Sequence, residues 1–364
     1  MKGQVVGHGP MATRAAHADS TAVVGVGEPL YRHEREELEA LVLAPGATRS
    51  AGAGDRPRSE APDPERTCFE RDRDRILHAA PFRRLAGKTQ VFIFPADHQR
   101  TRLTHALEVA QVATSIARAL RLNVALTEAI ALGHDCGHGP AGHASEDALA
   151  PFLPDGFDHA PWGADVVLAS LNLCAETSDG IRNHSWSRPA PSTPEGEVVS
   201  WADRIAYVCH DFEDALSAGV IGAAELPAVV AERCGPTRAR QLHVFIAGVV
   251  EATLAAGRVV MAEDLADALA TFRACNYERI YLRAASRQQA DAVQRLLRGL
   301  VERLSAAPGQ LPPASAELAG WPVPGSPQAV RAAVTYVAGM TDRFAVATAQ
   351  RLLGWDAAEL GPLA

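Results

Sequence analysis

A helical run that stops at Gly133 delivers two adjacent polar residues, His134 and Asp135, into the stretch Gly133-His134-Asp135-Cys136-Gly137-His138-Gly139-Pro140-Ala141-Gly142-His143-Ala144-Ser145-Glu146. Adjacent side chains on a regular α-helix point about 100° apart, so such a pair cannot share one ligand from within a helix. At a helix end, where glycine frees the backbone, it can. The fold must therefore bring this terminus against other polar groups. His105 upstream and Asp203 downstream complete a candidate metal set. Imidazoles mixed with carboxylates suit Mn, Fe, Co, Ni or Zn better than a purely oxygen site does. A metal so held polarises phosphate oxygens and lowers the pKa of water toward neutrality.

The surrounding pattern is helical. Over residues 103–120, Leu103, Leu107, Ala110, Ala113, Ile116, Ala117 and Leu120 recur near i, i+3, i+4, which predicts an amphipathic helix with His105 on its first turn. A second helix is expected over 124–132. Ile76, Leu77, Phe82 and Leu85 line a segment broken at Pro81. Further helices are expected over 31–43, 163–174, 197–218, 224–234, 237–255, 262–285, 287–305 and 327–353. Val91-Phe92-Ile93-Phe94 is a brief β-like run stopped by Pro95. Residues 44–66 and 306–326 carry Pro without periodicity and are expected to be loops. Aromatic residues make up only 5% and Ala is abundant, which favours helix packed on helix. The expectation is an all-α chain: a flexible or loosely ordered segment 1–66, then a single helical domain over 67–364 with loop insertions.

Charge and cysteines narrow the class. Net charge is −8, which argues against a protein that coats duplex nucleic acid. The six cysteines include no CxxC pair, so a zinc ribbon or redox motif is unsupported, and they are expected to be reduced core residues. No continuous apolar N-terminal region and no membrane-length run is present, and a cytoplasmic location is the expectation.

Within residues 197–218, Asp203, Tyr207 and Asp211 fall on one helical face. The order His105, His134-Asp135, Asp203 resembles the H…HD…D pattern of the HD-domain metal-dependent phosphohydrolases. The flanking text is more specific. Phe82-Arg83-Arg84-Leu85-Ala86-Gly87-Lys88-Thr89-Gln90-Val91-Phe92, Arg100-Thr101-Arg102-Leu103-Thr104-His105, Asp179-Gly180-Ile181-Arg182-Asn183-His184-Ser185-Trp186 and Ala202-Asp203-Arg204-Ile205-Ala206-Tyr207-Val208-Cys209-His210-Asp211 are similar to the deoxyguanosine triphosphate triphosphohydrolase (dGTPase-like) family.

The resemblance implies an HD-domain helical fold that hydrolyses a deoxynucleoside triphosphate, dGTP favoured, to deoxynucleoside and tripolyphosphate. It implies His105, His134, Asp135 and Asp203 as ligands of a divalent ion (Mn, Mg, Fe, Co, Ni or Zn) and His138, His143 and Glu146 at the reaction centre. Glu146 would back His143, raising its pKa for acid–base work. Arg102, Arg204 and Tyr207 match triphosphate contacts, Gln90 and Asp211 match deoxyribose contacts, and Lys88 is a further phosphate candidate. The family also implies a homo-oligomer and leaves a nucleotide effector and single-stranded nucleic acid open as partners. His98, His159, His210 and His243 are expected to be structural or surface residues, and His184 stays open between a structural and a base-facing role. Three departures stand out: Ala141 where the family has an aromatic, the run Phe157-Asp158-His159-Ala160-Pro161-Trp162-Gly163-Ala164-Asp165, and a short C-terminal part. A nucleotidase acting on monophosphates, a nucleotide or single-strand binding protein without turnover, and a helical scaffold remain as alternatives.

Overall fold

The computed structural model describes residues 5–6, 13–25, 27–92, 99–313, 320–356 and 358. Fifteen helices lie among them: α1 (Arg32–Val42), α2 (Cys68–His78), α3 (Ala80–Arg84), α4 (Arg102–Leu120), α5 (Val124–Gly133), α6 (His143–Leu149), α7 (His159–Trp162), α8 (Ala175–Asn183), α9 (Pro194–Ser217), α10 (Ala228–Cys234), α11 (Arg238–Ala256), α12 (Glu263–Asn276), α13 (Ala284–Ala306), α14 (Pro327–Ala338) and α15 (Asp342–Leu353). The described strands are a two-residue ladder of Val5–Val6 against Thr13–Arg14. The fold is all-α, as expected.

Helix α4 is the spine, packed by α5, α9 and α11. Ala106, Val109, Ala110, Val112, Ala113, Ile116 and Ala117 are all buried, more than a single stripe, while Leu107 is 49% exposed. The predicted face was too narrow, because small alanines let neighbouring helices close on several sides. Local chemistry sets the ends of the other helices around the site. Asn123 caps α5 by accepting the Leu126 N–H. Thr193 accepts the Gly196 N–H at the start of α9, with Pro194 at the first position and Glu195 and Glu197 in the first turn.

Three expected helices are interrupted. Residues 163–174 form a π-helical turn (Gly163–Val167) and a 3-10 turn (Ala169–Leu171), and the next helix begins only at Ala175. Helix α12 ends at Asn276 and gives way to a π-helical turn, Tyr277–Tyr281. The run 327–353 breaks between α14 and α15 at Gly339, Met340 and Thr341. Residues 93–98 of the β-like run and its neighbours lie outside the described residues. Val91 and Phe92 form bends instead of a strand.

Residues 32–66 are pinned down, in contrast to the loose order expected of 1–66. The Ser50 N–H and hydroxyl both donate to Glu39, and Thr48 and the Asn123 N–H donate to Glu195. The Arg56 guanidinium meets Asp72 at 2.5 Å, with side chains 1% and 0% exposed. Long-range partners that no local pattern reveals hold the non-helical part of this stretch, residues 43–66.

The apolar residues bury into two clusters. The larger joins α2, α4, α5, α9, α11 and α12. The smaller joins α13, α14 and α15 to α6, Phe157 and Trp162, and it includes Ala141 of the glycine-rich loop. All six cysteines are unbridged and five are buried.

Candidate metal centre

The turn after α5 solves the geometric problem posed by adjacent ligands. The helix ends at Gly133, and the Cys136 N–H closes on Gly133 O and the His138 N–H on Asp135 O, each at 3.1 Å. Those tight turns swing His134 and Asp135 toward a common point. Gly137 lets the loop come this close: a Cβ there would overlap the His159 carbonyl oxygen and lie 2.5 Å from the Gly163 nitrogen.

The four expected ligands converge. His105 Nε2 lies 3.0 Å from Asp203 Oδ1, and His134 Nε2 lies 3.4 Å from Asp135 Oδ1 and 3.8 Å from Asp203 Oδ1. The His134 Nδ1–H donates to Ala131 O at 2.7 Å, which leaves the Nε2 lone pair facing inward. That buried Nε2 has no hydrogen-bond partner among the described residues. An orphaned imidazole nitrogen between two carboxylates fits a cation, and His105, His134 and Asp203 have ligand atoms within 4.8 Å of one another. Asp203 is 21% exposed, so the centre meets solvent on that side.

Charges around the centre are arranged to keep the carboxylates ionised. Burial works to raise the Asp135 pKa, but Arg102, His134 and His138 hold it well below the usual carboxylate range. Arg102 Nη1 meets Asp135 Oδ2 at 2.6 Å. Gly142, at φ +62°, leaves room for that guanidinium, since a Cβ would clash with it. Asp203 is likewise held low against burial, by the His105 hydrogen bond and by His134.

The carboxylate–histidine pair is not the one expected. Glu146 accepts from His159 Nδ1 at 2.5 Å and from the His159 backbone N–H at 3.1 Å. The start of α7 leaves free N–H groups, and Glu146 answers them together with the ring. Burial lowers the His159 pKa, but the bond to Glu146 outweighs it and the net direction is up. His143 is exposed at the rim, its ring 5.1 Å from that of His138 and 6.0 Å from that of His159. His138 stacks on His159 at 3.7 Å, and its Nε2 lies 3.2 Å from Asp135 Oδ1.

His159 and His184, read from sequence as structural or undecided, thus belong to the centre. Their Nε2 atoms are 3.2 Å apart, and His184 Nδ1 donates to Ile181 O. Asp158 accepting the Ala160 N–H as an N-cap was a legible sign of a helix start at His159.

The sequence that builds this centre has counterparts in known proteins. Residues 102–208 match the HD domain, and residues 259–351 match the phosphohydrolase-associated domain. A "deoxyguanosinetriphosphate triphosphohydrolase-like protein" of Caldanaerobacter subterraneus subsp. tengcongensis is 40% identical over 322 residues, covering 86% of this chain and 93% of that one. A protein of the same description from Clostridium perfringens is 38% identical over 330 residues, covering 86% and 94%. The chain belongs to the deoxyguanosinetriphosphate triphosphohydrolase-like family. It is an HD-domain phosphohydrolase.

The residues expected from the sequence to contact substrate are placed as follows. Arg204 and Tyr207 follow Asp203 along α9. The Arg204 guanidinium lies 3.4 Å over the Trp186 ring, and the Tyr207 hydroxyl accepts from Arg273 Nε at 2.8 Å. The buried Gln90 Oε1 has no partner among the described residues. Asp211 is already engaged, by Arg100 and the Tyr281 hydroxyl. Lys88 is not placed to reach a phosphate: it is buried and donates to the carbonyl oxygens of His138 and Ala338. Ala141, which stands where the family has an aromatic, adopts φ +58°, and its N–H donates to Asp342 Oδ1 at 2.8 Å. A carboxylate on α15 thereby anchors this loop. Among the described residues, no helix is long and apolar enough to cross a membrane.

Proposed function

We propose that this protein hydrolyses deoxynucleoside triphosphates at the α-phosphorus, releasing deoxynucleoside and tripolyphosphate, with dGTP the favoured substrate. The observation that carries the reading is that His105, His134 and Asp203 bring ligand atoms within 4.8 Å of one another, with Asp135 Oδ1 3.4 Å from His134 Nε2 and Arg102 paired to Asp135. The description carried by its relatives supplies the substrate class. A divalent ion bound by those four side chains supplies Lewis-acid polarisation of the phosphate and a water of lowered pKa.

The remaining work belongs to the chain's own side chains. Arg102 and Arg204 offset charge that builds on the phosphoryl oxygens. Trp186 keeps the Arg204 guanidinium in place by stacking. His143 and the Glu146–His159 pair flank the centre and are the groups placed to take a proton from water and to return one to the leaving oxygen.

The test is a product assay. The protein is incubated with each of the four dNTPs, GTP and dGMP, with Mn or Mg, and the products are separated by ion exchange. Deoxynucleoside plus tripolyphosphate, lost on chelation and in Asp203→Ala, supports the reading. Single phosphate released from dGMP alone, or parent-rate hydrolysis by Asp203→Ala, rejects it.

A further inference from the structure

The first residue of α2 and the residue just before α8 are both cysteines, 106 positions apart in sequence. Cys68 and Cys174 are buried, at 1% and 0% exposure, and their thiols hydrogen-bond to each other. Gly54 lies against both sulfurs: a Cβ there would stand 2.4 Å from Cys174 Sγ and 3.4 Å from Cys68 Sγ. The Ala51 backbone and the Ser50 hydroxyl also bond to the Cys68 thiol. The turn over residues 51–54, closed by the Gly54 N–H on Ala51 O at 2.9 Å, therefore covers the pair. One buried ion pair holds the backbone on both sides of the sulfurs. Arg56 donates to the Cys68 carbonyl oxygen at 2.9 Å, and its partner Asp72 accepts the Cys174 N–H at 2.8 Å.

We propose that Cys68 and Cys174 form a modification site, a dithiol that a small-molecule disulfide oxidises to an intramolecular bridge between α2 and α8. A bridge needs two sulfurs in contact on backbones fixed close together, and the fold supplies both. Cys68 is the attacking group. The hydrogen bond from the Cys174 thiol lowers the Cys68 pKa against the effect of burial, and the first turn of a helix also favours a thiolate.

The Cys68 thiolate attacks one sulfur of the reagent, forming a mixed disulfide and expelling one thiolate. Cys174 then attacks the Cys68 sulfur and expels the second. Two cysteine thiols are oxidised, one reagent disulfide is reduced to two thiols, and the two S–H protons pass to the expelled thiolates. The turn that covers the sulfurs is Ala51-Gly52-Ala53-Gly54, with no side chain larger than a methyl, so a local opening admits the reagent. The reaction needs neither the metal centre nor its substrate.

The test incubates the reduced, folded full chain with glutathione disulfide, quenches with acid and digests after glutamate. Cys275→Ala serves beside the parent, since Cys275 is the one cysteine that is not buried. In both, peptide 66–70 is expected to be joined to peptide 147–176, each of which holds a single cysteine, and dithiothreitol is expected to release them. The bridge closes a long loop and is expected to raise the melting temperature by about 4 °C or more. Cys68→Ala and Cys174→Ala are each expected to give no link. Glutathione held on single cysteines, thiols left unreacted, a link between other cysteines, or a link that lowers the melting temperature each overturns the site. Glu36→Ala frees the Gly52 N–H, which donates to Glu36 at 2.9 Å, and is expected to speed bridging by about threefold or more. An unchanged rate overturns the turn as the point of entry and leaves the site.

Discussion

His159 Nδ1 donates to Glu146 Oε1 at 2.5 Å, across the gap between the first turns of α7 and α6. Glu146 therefore serves His159, although the spacing along α6 points it at His143. The bond holds the Glu146 carboxyl at about 2, against the opposing effect of burial.

The pairing can be read by a double-mutant cycle. Glu146→Gln and His159→Ala should each lower kcat by roughly 10²-fold or more, and the double variant should fall little further. Glu146→Gln and His143→Ala should combine more nearly additively. Strong coupling of Glu146 to His143 instead would return the dyad to the arrangement read from sequence.

Gly137→Ala should abolish activity while leaving most of the helical content. The added methyl would overlap the His159 carbonyl oxygen, so the loop must retreat from α7 and carry Asp135 and His138 with it. Misplacement of about 1 Å costs on the order of 10²-fold in rate. Steady-state kinetics with circular dichroism separate the two effects, and a fully active variant would contradict the close approach.

Metal should stabilise the fold as well as enable it. A ligand that binds only the native state at 100 times its Kd adds about 2.7 kcal/mol. Thermal unfolding of chelated protein should therefore shift upward as Mn is titrated in. The shift should vanish in His134→Ala, whose orphaned Nε2 is the atom aimed at the ion. A shift that survives in this variant would place the metal elsewhere.

Lys88 should make stability rise with pH in the alkaline range. Burial, aided by Arg84, lowers its pKa from 10.5 to about 8. Between those values the unfolded chain holds more protons than the folded one, so stability increases as pH climbs from about 8 to about 10.5. Below about 8 the charged ammonium opposes folding at full strength. Urea midpoints of the parent minus those of Lys88→Met should grow across that window. A flat difference would mean that Lys88 is not buried as a cation.

Arg56→Met should destabilise the protein by about 3–5 kcal/mol, because it leaves Asp72 charged and buried without its partner. Asp72 also accepts from the Cys174 N–H and the Thr177 hydroxyl, so α8 should loosen with it. Chemical denaturation gives the value. A change within about 0.5 kcal/mol, the range of an ordinary surface substitution, would mean that the linker is not held there.

Much of the centre was legible without coordinates. His134 and Asp135 adjoin the glycines that turn the chain; Asp203, on its own an ordinary helical carboxylate, was nominated only by its order after His105 and His134-Asp135 and the resemblance that this order carries. The helices α4, α5, α9 and α11 followed from the 3.6-residue repeat. Tertiary packing decided the rest. Glu146 had two candidate histidines, and the one chosen is the ring at a helix start whose N–H also needed an acceptor. Lys88 and Asp342 are 254 positions apart in sequence, yet both act as clasps on one loop. The break between α14 and α15 delivers Asp342 and the Ala338 carbonyl that Lys88 meets, and no run of apolar residues encodes it. Spacing along a helix reveals which groups share a face. Which buried donor meets which acceptor depends on the desolvation that only the assembled core imposes.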